Sequence, residues 1–319
     1  MIYVICGPTG SGKTDLANII AEKLDAPIIN ADAFQIYKDM NIGTNKITSG
    51  DKNYKRYYLL DVVSPEETFS VREYQKLFRE TIDKLLLKYE NIVICGGTGL
   101  YIKASLYDYV FEEFHDDVSD LENLSNEEIY QILKEVDPES AKTIHINNRK
   151  RVIRAISIAR NAAYTKSETI KMQEHNLIYK NVVFLMLDPD RTELYERINE
   201  RVDYMFKVGL VEEVKNLLER YSLSKTAKQA IGYKEIINFI NGEIDIKECM
   251  ELVKKRTRNY AKRQWTFFNN QFPVKKFKNK CDLIKEVFGQ WAIYLSVLKA
   301  SLEANYLRNW RVKLLLFLV

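Results

Sequence analysis

Gly7-Pro8-Thr9-Gly10-Ser11-Gly12-Lys13-Thr14 fits the pattern G-x-x-x-x-G-K-[ST]. It follows Ile2–Cys6, an apolar run that reads as a buried strand, and precedes Asp15–Leu24, whose apolar residues recur at helical spacing. Strand, glycine-rich loop and helix in that order make a cradle for phosphate. The glycines let backbone N–H groups converge on oxygen atoms, and the helix N-terminus adds its positive end. Lys13 supplies a point charge to the terminal phosphate, and the Thr14 hydroxyl is placed to hold a magnesium ion. The alternative is a glycine-rich turn without a ligand. By average composition, a chance match in a chain this long is on the order of one in a hundred. The loop specifies a phosphate chain; it does not specify ATP.

Outward from the loop, Pro27–Asn30, Tyr57–Val63, Asn91–Cys95 and Asn181–Leu187 read as further strands. Asp32, Ser64-Pro65, Gly96-Gly97 and Asp188-Pro189 close them. Phe69–Tyr89, Arg191–Arg220 and Lys247–Phe268 read as helices. The alternation predicts an α/β fold, a P-loop NTPase-like parallel sheet flanked by helices, with ligands at the strand carboxyl ends. The gap between the strands at 91–95 and 181–187 is too long for one crossover and is mostly helical in pattern. It reads as an inserted helical domain at 109–180, leaving residues 1–108 plus 181–290 as the catalytic core with C-terminal helices. Residues 291–319 form a tail ending in the apolar Leu314-Leu-Leu-Phe-Leu-Val319, expected as a docked helix. Charges at Lys299, Glu303, Arg308, Arg311 and Lys313 argue against a membrane span there.

Apolar residues make up 46% of the chain and charged residues 29%, which excludes wholesale disorder. Cys6, Cys95, Cys249 and Cys281 contain no C-x-x-C pair, which argues against a zinc ribbon, a redox motif or a disulfide scaffold. The run before the first glycine is too short for a signal peptide, and no 18 consecutive apolar residues occur. A cytoplasmic enzyme without a membrane, working as a monomer, is the expectation.

The net charge of +4 hides strong segregation. Tyr109–Ala141 holds eleven acidic residues and one basic; Lys142–Lys180 holds nine basic and two acidic. Lys254–Lys280 holds ten basic residues and no acid, interleaved with Tyr260, Trp265, Phe267, Phe268, Phe272 and Phe277. Basic stretches mixed with aromatics suit phosphate backbones and unstacked bases. The alternative for any one of them is a solvated helix face with lysine stems lying over a core. Two such segments in one chain favour RNA or another polyanion.

Two more loops share the carboxyl edge. In Asn30-Ala31-Asp32-Ala33-Phe34-Gln35, Asp32 lies just past the second strand, where a carboxylate can act as general base or orient magnesium. The alternative is a helix N-cap. Gln35 offers an amide suited to a base edge. Gly96-Gly97-Thr98-Gly99-Leu100-Tyr101 follows another strand and reads as a second anion-binding turn, or as a tight turn without a ligand. No hydrophobic strand ending in Asp–Glu is evident, which argues against a hydrolytic motor.

These residues resemble the tRNA dimethylallyltransferase (tRNA isopentenyltransferase) family. The matches are Gly7–Thr14, Asn30–Lys46, Gly96–Tyr101, Arg149–Ala155, Arg191–Met205 with Gly209-Leu210, Gln229–Glu235 and Tyr260–Gln264, in the family's order over about residues 1–270. The resemblance implies transfer of the dimethylallyl group of dimethylallyl diphosphate to N6 of adenosine 37, in tRNAs reading codons that begin with U. The loop Gly7–Thr14, nucleotide-binding or ATP-binding in many proteins, would then hold the diphosphate of a prenyl donor. Lys13, Thr14, Mg2+ and Thr98 would stabilise the leaving diphosphate, with Thr14 as the metal ligand. Asp32 would take the N6 proton. Asp32, Ala33, Phe34, Gln35 and Thr98 would meet the flipped adenine, and Lys234 would lie near the diphosphate. The insertion would grip the anticodon stem-loop through Arg149, Lys150, Arg151 and Arg154, and Lys255, Arg258 and Lys262 would share a second RNA-facing helix surface.

Four departures from the family pattern stand out. Ala33 replaces a serine after the aspartate, removing one hydroxyl contact to adenosine. Asn259 stands where a basic residue is common. Trp265-Thr-Phe-Phe replaces a leucine-containing version, and Ala162-Ala163-Tyr164 replaces a Gly-Lys-Pro-like turn. The competing functions are a P-loop phosphotransferase, a prenyltransferase acting on free adenylate, and a non-catalytic RNA-binding protein.

Overall fold

A computed structural model describes residues 1–111, 118–172 and 174–289. Six strands, β1 (Ile2–Cys6), β2 (Ile28–Asn30), β3 (Tyr57–Tyr58), β4 (Ile92–Cys95), β5 (Val182–Leu187) and β6 (Lys275–Phe277), form one parallel sheet in the order β3-β2-β4-β1-β5-β6. The central strands read as unbroken apolar runs because helices cover both faces of a parallel sheet. The helices in chain order are α1 (Lys13–Leu24), α2 (Val71–Leu86), α3 (Gly99–Leu106), α4 (Asn126–Val136), α5 (Pro138–Thr143), α6 (Arg149–Asn161), α7 (Lys166–Met172), α8 (Arg191–Lys207), α9 (Leu210–Arg220), α10 (Tyr233–Ile240), α11 (Ile246–Gln271) and α12 (Lys280–Phe288).

The chain divides into two compact units: Met1–Ile102 with the chain from Lys180 onward, and Lys103–Tyr179. In the first, Ile5, Ile28, Val93 and Leu185 of the sheet bury against Leu16 and Ile20 of α1 and Leu283 of α12. A second core joins Val202, Leu210, Val214, Tyr233 and Val253 from α8 to α11 with Ile36 and Tyr37. The second unit has its own core of Leu121, Ile129, Leu133, Val152 and Ile156. Its Asp137 carboxylate accepts N–H bonds from Ser140 at 3.0 Å and Ser167 at 3.1 Å, tying α5 to α7. Burial works against that charge, but these hydrogen bonds outweigh it and hold the carboxyl below its ordinary range.

Three expectations are corrected. The strand at Tyr57–Val63 ends at Tyr58, because Leu59 and Asp61 take positive φ (63° and 54°) and turn the chain; Val63 then bridges to Tyr37. The buried Lys46 ammonium binds both Tyr37 O and Asp61 Oδ1 at 2.6 Å, fixing that bend. The helix expected over Arg191–Arg220 is two, α8 and α9, broken at Gly209 with φ 105°. β6 and α12 were not anticipated: Lys-Lys-Phe is three residues inside a basic segment and shows no strand pattern. Among the described residues, no helix is long and apolar enough to cross a membrane. The expected docked helix at 291–319 lies outside the described residues.

Candidate active site

Strand order puts the three loops on one edge. β1 lies beside β4 and β4 beside β2, with Ile5 and Asn30 both level with Cys95, so the three strands end nearly flush. Gly7–Gly12, Asp32 and Gly96–Thr98 therefore leave the sheet side by side. Gly12, the N-cap of α1, has φ 87°, and a Cβ there would lie 2.7 Å from the Lys280 stem. A Cβ on Gly96 would lie 2.1 Å from Ala31 O, so only glycine lets the two loops touch.

Lys13 is partly buried, with its ammonium 3.4 Å from Pro8 O. Desolvation lowers its pKa, opposed by Cys95 and Asp32. A desolvated cation with weak local partners favours an arriving anion. The Ser11 hydroxyl is buried within the same loop without a hydrogen-bond partner. Among the described residues, no cluster of three His, Cys, Asp or Glu side chains could hold a metal. Magnesium needs only one or two protein ligands when phosphate and water supply the rest. The donors present, Thr14 on the first turn of α1 and the partnerless Ser11 hydroxyl, fit an ion that arrives with a diphosphate and not one bound alone.

Asp32 does not cap a helix; turns follow it. Its Oδ1 accepts the Phe34 N–H at 3.0 Å, and its own N–H donates to Asn30 Oδ1 at 3.2 Å. The buried Asn30 is braced in turn by donating to Leu59 O at 3.0 Å. Asp32 Oδ2 makes no hydrogen bond among the described residues, so it remains for a ligand. Thr98 closes the gap between the loops: its Oγ accepts the Ala33 N–H at 2.9 Å and its N–H donates to Ala31 O at 3.0 Å. The Thr98 hydroxyl also meets the Tyr260 hydroxyl, so it is tied to α11 as well as to Ala33.

Three site residues were not singled out by sequence reasoning. Gln264 on α11 clasps two loops, its Oε1 accepting the Thr9 N–H and its Nε2 donating to Gly97 O, both at 2.8 Å. Arg201 on α8 donates from NH2 to Thr9 Oγ1 at 2.7 Å, while its buried Nε has no partner. Desolvation lowers the Arg201 pKa and the Asp32 charge opposes it, so the two sit within electrostatic reach. Tyr260 on α11 has its hydroxyl pKa raised by burial and by Asp32, while hydrogen bonds with Thr98 and Gln264 oppose the shift. Arg201 and the Tyr260–Gln264 pair lay inside stretches matched to the family, but only the fold shows which side chains turn inward.

A cavity of about 280 Å³ opens at this edge. Thr9, Asp32, Arg201, Thr257 and Arg263 bring polar groups to its lining, and Met205, Leu210 and Val253 bring aliphatic ones. Phe34 also lines it. A lining that mixes charged and aliphatic groups suits an amphipathic ligand with an anionic head.

Other expected residues fall into different settings. Gln35 donates from Nε2 to Thr44 O at 3.0 Å and Asn45 O at 3.3 Å, so its amide nitrogen holds a loop; only its oxygen is left for a base. That loop is anchored by Glu213, which accepts the N–H groups of Asn41, Ile42 and Gly43 and the Tyr233 hydroxyl. The Arg149 guanidinium donates to the carbonyls of Leu121, Leu124 and Glu122 and to Asn126 Oδ1. It is spent as an internal clamp of the second unit. Lys150, Arg151 and Arg154 are exposed on α6, opposite the buried Val152 and Ile156. Lys255 and Lys262 are exposed on α11, while Arg258 donates to Asn199 on α8. Lys234 is half-buried on α10.

A parallel sheet whose edge gathers a phosphate loop, a carboxylate with a free oxygen and a threonine that bridges the loops beside a cavity of mixed polar and aliphatic lining defines a P-loop-like group-transfer enzyme. The family model described as IPP transferase matches residues 35–271, and the chain belongs to that family of transferases. It is 43% identical to a tRNA dimethylallyltransferase of Anoxybacillus flavithermus, over 89% of this chain and 92% of that one. The crystal structure of a tRNA delta(2)-isopentenylpyrophosphate transferase from Staphylococcus epidermidis aligns with TM-score 0.67 and 37% identity, covering 91% of this chain and 98% of the other. A eukaryotic dimethylallyltransferase acting on tRNA aligns with TM-score 0.77 and 27% identity, covering 94% and 79%.

Proposed function

We propose that this transferase moves a dimethylallyl group from dimethylallyl diphosphate to N6 of adenosine 37 of tRNAs reading codons that begin with U. The observation that carries it is the cavity, lined by Asp32 and Arg201 together with aliphatic side chains, and reached by the phosphate loop through Thr9. The donor's diphosphate lies on Gly7–Thr14, and its five-carbon group faces the apolar wall. A bond forms between N6 and the allylic carbon, and the allylic C–O bond breaks. Negative charge grows on the leaving diphosphate, where Lys13, Arg201 and Thr98 stabilise it as it develops. Adenine N6 is a poor nucleophile because its lone pair is delocalised. Asp32 Oδ2 accepts one N6 proton as the bond forms. Mg2+, held through Thr14, would neutralise diphosphate charge when bound. Diphosphate departs, and ATP has no part.

The target base leaves the anticodon stack to reach Asp32, which base flipping provides. Phe34, the Gln35 oxygen and Thr98 meet the adenine; Ala33 presents no hydroxyl. The exposed Lys150, Arg151 and Arg154 of α6 and Lys255 and Lys262 of α11 contact RNA phosphates. The enzyme works as a cytoplasmic monomer.

The test combines the protein, magnesium, labelled dimethylallyl diphosphate and an anticodon stem-loop with adenosines at 36, 37 and 38, with ATP omitted. Label in the RNA at adenosine 37 is expected. Label only in added free AMP, or none without ATP, would overturn the proposal.

A further inference from the structure

A second cavity, of about 370 Å³, lies on the flank of α11 away from Gln264. Tyr195 and Trp265 form aromatic walls, with Leu194 and Ala261 as its aliphatic floor. Arg191, Lys262 and Lys278 stand around it. None of these residues has a part in the transfer chemistry above. Lys262 alone was assigned to RNA, and only as a phosphate contact.

The aromatic walls are held open. Trp265 is 43% exposed although it belongs to a helix whose Gln264 and Phe268 are buried. Its Nε1 donates to Asp188 Oδ1 at 2.8 Å, which fixes the ring's orientation. The Lys276 ammonium sits 5.6 Å from the ring centre and does not line the cavity, so it is not the group that fills it. Tyr195 is fixed likewise: Arg191 Nε donates to its hydroxyl at 3.0 Å, with the guanidinium 5.3 Å from the ring centre. Two oriented rings with aliphatic backing suit a flat, polarisable ligand. Arg191, Lys262 and Lys278 face Asp188 and Asp190 in its lining, an excess of one positive charge that suits a ligand carrying negative charge. A flat ring joined to a phosphate is a nucleotide. The remaining Asp188 oxygen supplies an acceptor for an exocyclic amine or ring N–H.

We propose that this cavity holds a second unstacked base of the RNA substrate, stacked on Trp265, with its phosphate at Lys262 or Lys278. Lys262 also lines the neighbouring open basic surface with Arg263 and Asn270, so a strand leaving the cavity meets cationic ground without a break. The inference rests on the reading of the chain as a tRNA-modifying enzyme.

The test uses the full chain and the anticodon stem-loop with 5-iodouridine placed at each loop position in turn, irradiated and mapped by peptide sequencing. A cross-link from one loop position to Trp265 or Tyr195 is expected, with 1 mM AMP or UMP leaving it intact. Trp265→Ala should raise the RNA dissociation constant about tenfold, and Trp265→Phe by much less. The KM for dimethylallyl diphosphate and the rate at saturating RNA should not change in either. Lys278→Glu, at an exposed position, should weaken RNA binding and reduce its salt dependence by about one ion. Absence of any cross-link overturns the proposal, and so does a Lys278→Glu variant of unchanged affinity. Loss of the cross-link to free nucleotide overturns it in favour of a mononucleotide site. Wild-type prenyl transfer to the same RNA is read in parallel: transfer without a cross-link sinks the cavity alone, and no transfer sinks the functional reading itself.

Discussion

Arg201 and Arg149 are both drawn inward by their surroundings, yet they do opposite jobs. Arg149 spends NH1 and NH2 on three carbonyls and an asparagine within the second unit. Arg201 spends NH2 on the Thr9 hydroxyl and keeps a buried Nε without a partner, beside Asp32. A buried donor left unpaired is costly. Among the described residues, the first unit leaves one at the sheet edge, where a bound anion would satisfy it, whereas both terminal nitrogens of Arg149 are engaged within the second unit. The role of a cation is therefore read from its unspent donors, not from the basic stretch it belongs to.

The largest expected effect breaks the comparison on the catalytic side. Lys13→Ala or Arg201→Ala should each lower the transfer rate by about 10²–10³-fold, the scale for losing one stabiliser of developing charge. RNA affinity, measured by titration with the labelled stem-loop, should stay within a few-fold. Gln264→Ala comes next: it strands the Thr9 N–H and Gly97 carbonyl together, and should lower stability by about 2 kcal/mol. The rate should fall with it, because the phosphate loop loses its tie to the Gly97 turn. Arg149→Ala sharpens the comparison from the other side. It should lower the stability of the second unit by about 2 kcal/mol, read in thermal unfolding, while leaving the salt slope of RNA binding unchanged. Lys150→Glu, on the exposed face one residue away, should reverse that pattern, with unfolding unchanged and the salt slope reduced by about one ion.

The smallest effect concerns pH. Asp137 titrates lower in the folded chain than in the unfolded one. Its contribution is fully present above the ordinary carboxyl pKa and is lost as pH falls through the folded value. Asp137→Asn should flatten the acid limb of the unfolding curve below about pH 4, where the unfolded carboxyl titrates.

Much of the sheet was legible because its strands are apolar runs closed by turn residues; β1, β2, β4 and β5 are close to their expected limits. Tyr57–Val63 looked no different, but its continuation depends on the Lys46–Asp61 contact between distant segments. Gly209 was a visible signal that the helix over Arg191–Arg220 would break, since glycine takes the left-handed conformation that a helix end uses. β6 left no signal, because a three-residue strand at a sheet edge takes its identity from its neighbour β5. The site divides the same way. Residues on strand-end loops could be placed from the sequence, since the strand ends themselves position them. Gln264, Tyr260 and Glu213 act across long sequence separations, and although apolar spacing marks the buried faces of α9 and α11, it does not mark which polar side chains reach a distant loop. The internal hydrogen bonds of Arg149 were hidden for the converse reason, because charge alone does not show which oxygen atoms surround it.

The central claim is that Asp32 removes the N6 proton while the loops beside it hold the leaving diphosphate. Single-turnover transfer by Asp32→Asn tests it most directly, since the amide oxygen can keep the hydrogen bond from Phe34 N–H while the base is lost. The account predicts a rate lower by about 10²–10⁴-fold, with the stem-loop dissociation constant within twofold of wild type. An unchanged rate would contradict it.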